Sequence, residues 1–455
     1  MQKTLIDWLE NVDEFDGYKN KSALNAFSIA IDDISLKKPK DKFENSAELT
    51  RKLLFAASFI APDNICESLL QKILKKITEI DFESGENELL WLEIRRKLLA
   101  YDLLKYDKTA KSFTTHRLIQ KVIQTKLTPE ENETTCTQLT GIFIDLFPKY
   151  DYLNKEICEK YYQHTQIFLE NADKLQFETE NANNLYYRIG RYQELLGNYA
   201  QAELFYWRGL EISAKVFGKE HPAYATRLNN LAIVYRLQGR YDEAIELYKQ
   251  ALEISEKTIG KEHPDYAVHL NNLASVYHLQ GKYDKAYDKA IDLYKQALEI
   301  GEKTIGKKHF AYATRLNNLA GVYYSQGKYD EAIDLYKQAL EIDAKTIGKE
   351  HPEYARHLSN LANVYQLQGK FELVEEYYRQ VKEIRERVLG KNHPDTALSY
   401  WWIGELRFAQ DNIQEALDLY KEALEIYEKT LPENHPDIAQ LKIRVERCQE
   451  MLVKK

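Results

Sequence analysis

Small and apolar side chains recur at helical spacing in paired runs, and the pairs themselves repeat. In residues 225–266, Leu231, Ala232 and Tyr235 share one face of a first predicted helix, and Ala244, Tyr248 and Ala251 share one face of a second. Gly239 stands between them, where a left-handed residue ends a helix. His-Pro occurs at 221, 263, 351, 393 and 435, with His309-Phe310 in the remaining slot, at steps of 42, 46, 42, 42 and 42 residues. The proline of each pair fits the first turn of the next helix, where its missing N–H costs nothing. A fixed period of this length predicts a solenoid of stacked helix pairs. A small residue falls once per unit where the two helices meet: Gly190, Ala232, Ala274, Ala320, Ala362 and Gly404. Six units are therefore complete.

The units run 183–224, 225–266, 267–312, 313–354, 355–396 and 397–438, and residues 439–455 read as a capping helix. In the third unit Tyr-Asp-Lys-Ala is duplicated at 283–290, adding four residues. Four residues turn a helix by about 400°, so the buried face shifts by only about 40°. The second helix is expected to gain one turn at its start while the stack stays intact. These words, Leu228-Asn229-Asn230-Leu231-Ala232 and Tyr248-Lys249-Gln250-Ala251-Leu252 among them, resemble the long, 42-residue tetratricopeptide repeat of kinesin light chains. That resemblance implies an all-α fold, a right-handed superhelix of helix pairs whose first helices line a concave groove.

Upstream the pattern changes. Residues 1–46 show helical spacing, a helix starts at Ala47 and runs to Ala61-Pro62, and further helices are predicted at about 64–80, 86–99 and 116–126. Two short runs around Asp107-Lys108-Thr109 predict a hairpin within 103–115. Three helices and a hairpin make 47–126 winged-helix-like, and helical segments at 139–147 and 155–171 make 127–182 a connector that caps the first unit. The stretches Leu53 to Ile65 and Phe113 to Gln120 resemble the winged-helix region of NB-ARC (STAND-type) ATPases, and residues 1–46 resemble the helical segment upstream of it. The family places a histidine that senses nucleotide phosphate at His116, although Thr115 and Arg117 here replace its flanking Met and Asp.

The ATPase core of that family is missing from this sequence. Gly-Lys occurs eight times, at 218, 260, 281, 306, 327, 348, 369 and 390, and is never followed by Ser or Thr, so these are turns and not phosphate loops. No constellation for nucleophilic or acid–base catalysis can be assembled, so the chain is expected not to be an enzyme and to need no cofactor. The repeated histidines lie about 10 Å apart by helix-packing distances, too far to share a zinc ion; helix capping is their expected role. Cys66, Cys136, Cys158 and Cys448 lack metal or redox spacing, which fits reduced thiols and a cytoplasmic setting. No apolar run is long enough to span a membrane.

The net charge is −8, from 63 basic and 71 acidic residues, which argues against a nucleic-acid binder. Residues 47–126 hold 14 basic and 11 acidic residues, and Arg95-Arg96-Lys97 is their one tight basic cluster, so specific DNA binding through a winged helix is not expected. The expected binding surface is the groove, read as Asn229, Asn230, Arg236, Asn271, Asn272, His278, Asn317, Asn318, Tyr324, Asn360, Asn363 and Gln366. An asparagine ladder can pair with the backbone of an extended peptide without demanding a side-chain sequence; the competing expectation is that one Asn of each pair satisfies backbone between helices. Trp401, Trp402 and Phe408 take groove positions in the last unit and are expected to cover the terminal helix. The leading reading is a scaffold for a peptide or protein partner. The alternative is the sensor half of a split STAND-type switch, with a nucleotide-binding domain supplied in trans; a winged-helix transcription regulator is the third reading.

Overall fold

The structure, a computed structural model, describes residues 29–31, 45–82, 87–100, 103–148, 154–281, 284–431 and 435–454. The segment 1–46, read from sequence as helical, lies almost wholly outside them. The chain forms two compact bodies, residues 1–189 and 190–455.

In the first body, α1 (Ser46–Ser58) leads to a two-residue strand β1 (Ile65–Cys66), then α2 (Glu67–Thr78), α3 (Glu88–Leu99), the hairpin β2 (Leu104–Asp107) and β3 (Ser112–Thr115), and α4 (Arg117–Lys126). The strands make one antiparallel sheet in the order β1-β3-β2, with Ile65 opposite Phe113 and Tyr106 opposite Phe113 on the other side. Sequence spacing had assigned 64–80 wholly to helix. Two apolar residues before a helix give no period of their own, and β1 exists only because β3 offers it an edge. Glu67, the first residue of α2, joins the layers: its carboxylate accepts from Trp91 Nε1 (2.5 Å), the Tyr106 hydroxyl (2.7 Å) and Arg95 Nη1 (3.3 Å). Gln120 on α4 donates to Ala57 O and Ile60 O, both at 2.8 Å, and so occupies carbonyls left open at the end of α1.

The connector is more helical than its spacing showed. α5 spans Pro129–Leu146, starting ten residues before the predicted 139, and α6 spans Lys155–Lys174. The early start has a local cause: Thr128 and Glu131 form a reciprocal capping box, with Pro129 at the first helical position. Its first turns are polar (Glu130, Glu131, Asn132, Glu133), which hid them from a search for apolar periodicity.

The repeats follow as helix pairs: α7 (Glu180–Leu195) and α8 (Tyr199–Val216), α9 (Pro222–Leu237) and α10 (Tyr241–Thr258), α11 (Pro264–Gln280) and α12 (Asp284–Thr304), α13 (Phe310–Ser325) and α14 (Tyr329–Thr346), α15 (Pro352–Leu367) and α16 (Phe371–Leu389), α17 (Pro394–Ala409) and α18 (Ile413–Thr430), closed by α19 (Pro436–Lys454). Each first helix from α9 onward starts on a histidine whose Nδ1 accepts the N–H two residues on, at 3.0–3.3 Å, in His221, His263, His309, His351, His393 and His435. Capping is thus what the repeated histidines do. Replacing His351 by Ala should cost about 1 kcal/mol, and Asn at the same position should restore most of it, read from the urea midpoint. Each first helix except α11 closes on a left-handed turn such as that at Gly239 (φ +76°), with Arg240 N–H returning to Tyr235 O at 2.8 Å.

The duplicated tetrapeptide lengthens α12 to 21 residues against 18 in α10 and α14. Ala290, Tyr294 and Ala297 are buried as Ala244, Tyr248 and Ala251 are, so the stack continues. The turn before it differs. Gly281 has φ −61°, unlike Gly239 and Gly327, and Tyr287 from the inserted turn lies so close that a Cβ on Gly281 would sit 2.2 Å from its ring. The apolar core runs between the helices of each pair and on to the next, from Ala320 through Tyr336, Tyr365 and Tyr378 to Leu406 in one cluster.

Candidate functional site: the face of the first helices

Successive first helices touch one another, α9 against α11, α11 against α13 and α13 against α15. Along this line the asparagines meet. Asn272 Nδ2 donates to Asn229 Oδ1 (3.0 Å), Asn318 Nδ2 to Asn271 Oδ1 (3.2 Å) and Asn360 Nδ2 to Asn317 Oδ1 (2.9 Å). Within two units the pair closes on itself, Asn271 Nδ2 to Asn272 Oδ1 (3.3 Å) and Asn317 Nδ2 to Asn318 Oδ1 (3.4 Å). The result is one chain of amides from Asn360 to Asn229. Asn229, Asn230 and Asn317 are buried, and Asn271, Asn272, Asn318 and Asn360 are half-buried. The amides bond to one another across units, because a side chain of this length spans the gap between adjacent first helices, and the half-buried ones keep part of each side chain exposed.

One helical turn further on, the positions vary. Arg236, His278, Tyr324, Gln366 and Phe408 occupy the same place in successive units, with Glu194 before them, and Asn363 and Glu405 lie one turn earlier. From behind, the second helices present tyrosines to them. The Tyr206 hydroxyl donates to Glu194 Oε2 (2.8 Å), and the Tyr378 hydroxyl donates to Asn363 Oδ1 (2.5 Å) and stands 3.0 Å from Gln366 Oε1. Burial pushes the Glu194 carboxyl up and the Tyr248, Tyr294 and Tyr378 hydroxyls up, so the tyrosines are neutral donors. His278 Nε2 lies 2.9 Å from Ser325 Oγ in the next unit, and burial lowers its pKa. Arg236, Tyr324, Asn363 and Gln366 are half-buried, which leaves part of each side chain open.

The aromatic cluster of the last unit divides. Trp401 and Phe408 pack into the final core beside Ile438, Leu441 and Cys448 of α19, as expected of a cover. Trp402 does not: it stacks on Tyr378 of the preceding unit, centroids 5.9 Å apart, with the Arg385 guanidinium 5.1 Å from its ring.

In the first body His116 is the N-cap of α4, its Nδ1 accepting the Leu118 N–H at 3.1 Å. Only Nε2 is left for any phosphate. The basic cluster is committed as well: Arg95 to Glu67, Arg96 to both oxygens of Glu93 (2.9 and 2.7 Å), and Lys97 7% exposed. Among the described residues no group of three or more His, Cys, Asp or Glu could hold a metal ion, and no helix is long and apolar enough to cross a membrane.

Comparison with known proteins agrees with the helix pairs. The tetratricopeptide repeat family matches residues 181–257, 227–286, 287–345, 316–387 and 353–429, and a second tetratricopeptide repeat description matches 270–303. A domain of unknown function (DUF7779) matches residues 41–132. A nucleotide-binding leucine-rich repeat (NLR)-like protein of Hyaloscypha variabilis is 36% identical over 129 residues, 28% of this chain and 13% of that protein. The chain thus spans about an eighth of that relative's length. Among solved structures, the putative kinesin light chain TPR-like repeats of Podosopora anserina share 29% identity at TM-score 0.37, covering 46% of this chain and 98% of that one. BtubC (BKLC) of P. vanneervenii shares 26% at TM-score 0.41, covering 50% and 90%. A STAND protein with a tetratricopeptide repeat sensor from Pyrococcus horikoshii shares 15% at TM-score 0.41, covering 91% and 70%.

Proposed function

Because the chain belongs to the tetratricopeptide repeat family, we propose that it is a protein-interaction scaffold whose first-helix face takes an extended segment of a protein partner. The observation that carries this reading is the contrast between two neighbouring rows on that face. The asparagine row repeats and is hydrogen-bonded to itself, a fixed part of the stack. The row beside it carries a different side chain in each of four units, Arg236, His278, Tyr324 and Gln366, and ends at Phe408, which packs beneath the terminal helix. A fixed polar spine beside a varied row is what reading a side-chain sequence requires. The test uses Arg236→Ala, Tyr324→Ala and Gln366→Ala together, leaving the spine intact. Proteins captured from native extract by the parent are identified, and the binding segment is titrated calorimetrically against both forms. Affinity should fall at least tenfold while the helical circular dichroism signal is unchanged. Equal affinity would remove this face from the account.

A second reading rests on the first body. Its order of helix, strand, helix, helix, hairpin and helix is that expected of a winged helix, and the 36% identity to an NLR-like protein supports the sensor half of a STAND-type switch. Residues 47–126 would then dock on a nucleotide-binding domain, with His116 Nε2 available to a phosphate. Fluorescent ATP and ADP should bind only when that domain is present. Binding of ordinary affinity to this chain alone would contradict the reading.

A further inference from the structure

Units this similar in wording have a packing problem that their shared core cannot solve. Leu-Asn-Asn-Leu-Ala stands at 228–232, 270–274 and 316–320, and the buried alanines and tyrosines recur in register, so each second helix would accept the first helix of several units. One buried position differs at every junction described below. A residue near the end of each second helix faces the residue fourteen positions later, on the next first helix.

Between α10 and α11, Ser255 Oγ meets His269 Nδ1 at 3.2 Å. Between α12 and α13, Gly301 faces Arg315, which is 4% exposed; a Cβ on Gly301 would lie 2.2 Å from Arg315 Nη1. The small residue leaves room for the guanidinium, whose buried Nη1 has no hydrogen-bond partner among the described residues. Between α14 and α15, Asp343 and His357 are hydrogen-bonded and each is 1% exposed. His357 Nε2 lies 2.9 Å from Arg356 Nη2, a nitrogen that can only donate, so the proton is on Nδ1 and the neutral ring donates to Asp343. Between α16 and α17 the arrangement is reversed: Arg385 on the second helix donates to Ser399 Oγ and Asp395 O, both at 3.0 Å.

Each pair differs from those at the neighbouring junctions, although the first-helix residue itself recurs in alternate units, histidine at 269 and 357 and arginine at 227 and 315. Arg385 against Arg315 would bury two guanidinium groups together, Asp343 against Ser399 would lose the paired imidazole, and Gly301 against His357 would leave a void. We infer that this buried pair is a key that fixes the order of the units. It opposes a stack slipped by one unit, which the common core permits.

The test transplants one key into another junction. Asp343→Arg alone sets a guanidinium against His357 and should lower the melting midpoint by roughly 10 °C, as breaking a buried pair does in a body of this size. Asp343→Arg with His357→Ser rebuilds the α16/α17 pair at the α14/α15 junction and should return the midpoint to within about 3 °C of the parent. If the single variant fails to fold, folding of the double variant is the supporting result. Gly301→Ser with Arg315→His, which copies the α10/α11 pair, gives an independent second case. Double variants that lose as much as the sum of their singles would overturn the inference, since the two positions would then be separate packing sites.

Discussion

Tyr378→Ala should lower the unfolding free energy of the repeat body by about 3–5 kcal/mol, whereas Tyr378→Phe should cost only about 1 kcal/mol. Tyr378 is 1% exposed at the centre of a cluster that includes Val374, Val381 and Ile384 from its own helix and Leu358, Leu361 and Ala362 from α15. Its ring also stacks on Trp402 of the next unit. Removing it therefore opens a cavity and cuts the link between two units, and in a solenoid a weakened unit uncouples the stack on either side of it. Phenylalanine keeps the volume and the stacking and loses only the hydroxyl. That hydroxyl holds Asn363 and Gln366 from behind, so the conservative change should alter partner binding more than stability. Urea unfolding of both variants, with hydrogen exchange across α15 to α17, separates the two roles. Equal costs for the two substitutions would mean that the ring contributes no packing beyond its hydroxyl.

The division between what could be read from sequence and what could not follows from which interactions repeat. Helix pairs, their turns at Gly239 and Gly327, and the proline starts were legible because each obeys a local rule once per period. The short strand β1 was illegible because Ile65 and Cys66 become a strand only opposite Phe113 and Ser112. α5 was half missed because its first turns are fixed by Thr128 and Glu131 and not by an apolar stripe. On the first-helix face, sequence located the asparagines but not their use: their partners are 43 to 47 residues away, in the next unit. The junction pairs were overlooked altogether. Their signal was present, as a column of Arg227, His269, Arg315, His357 and Ser399 in otherwise similar units. Polar variation inside a repeated apolar frame marks a position that distinguishes neighbouring units, and its partner column lies fourteen residues before it.

Lowering the pH from 7 to 4 should destabilise the repeat body by about 3 kcal/mol through His269 alone. Burial pushes this imidazole down to about 4, with the Asp265 carboxylate only partly opposing the shift. It is 3% exposed and faces Ser255 across the α10/α11 junction. In the unfolded chain it takes a proton near its ordinary value of about 6.5. The unfolded state therefore binds the proton first, and stability present above pH 6.5 is lost as the pH falls toward 4. Burial lowers His278 and His357 in the same direction, so their contributions add in the same window. A lowered carboxyl such as Glu131, held down first by the Thr128 N–H, loses its contribution only at more acid pH, below the ordinary carboxylate range. Glu194, whose buried carboxyl is pushed up, takes its proton first in the folded state and so opposes the histidines in this window, which makes the difference between parent and variant the readout for His269. Urea midpoints at pH 7.5, 6.5, 5.5 and 4.5 for the parent and for His269→Gln test this directly. Glutamine can still reach the Ser255 hydroxyl but takes up no proton, so the variant should lose less stability than the parent at each step downward. Two parallel curves would show that His269 does not link folding to pH.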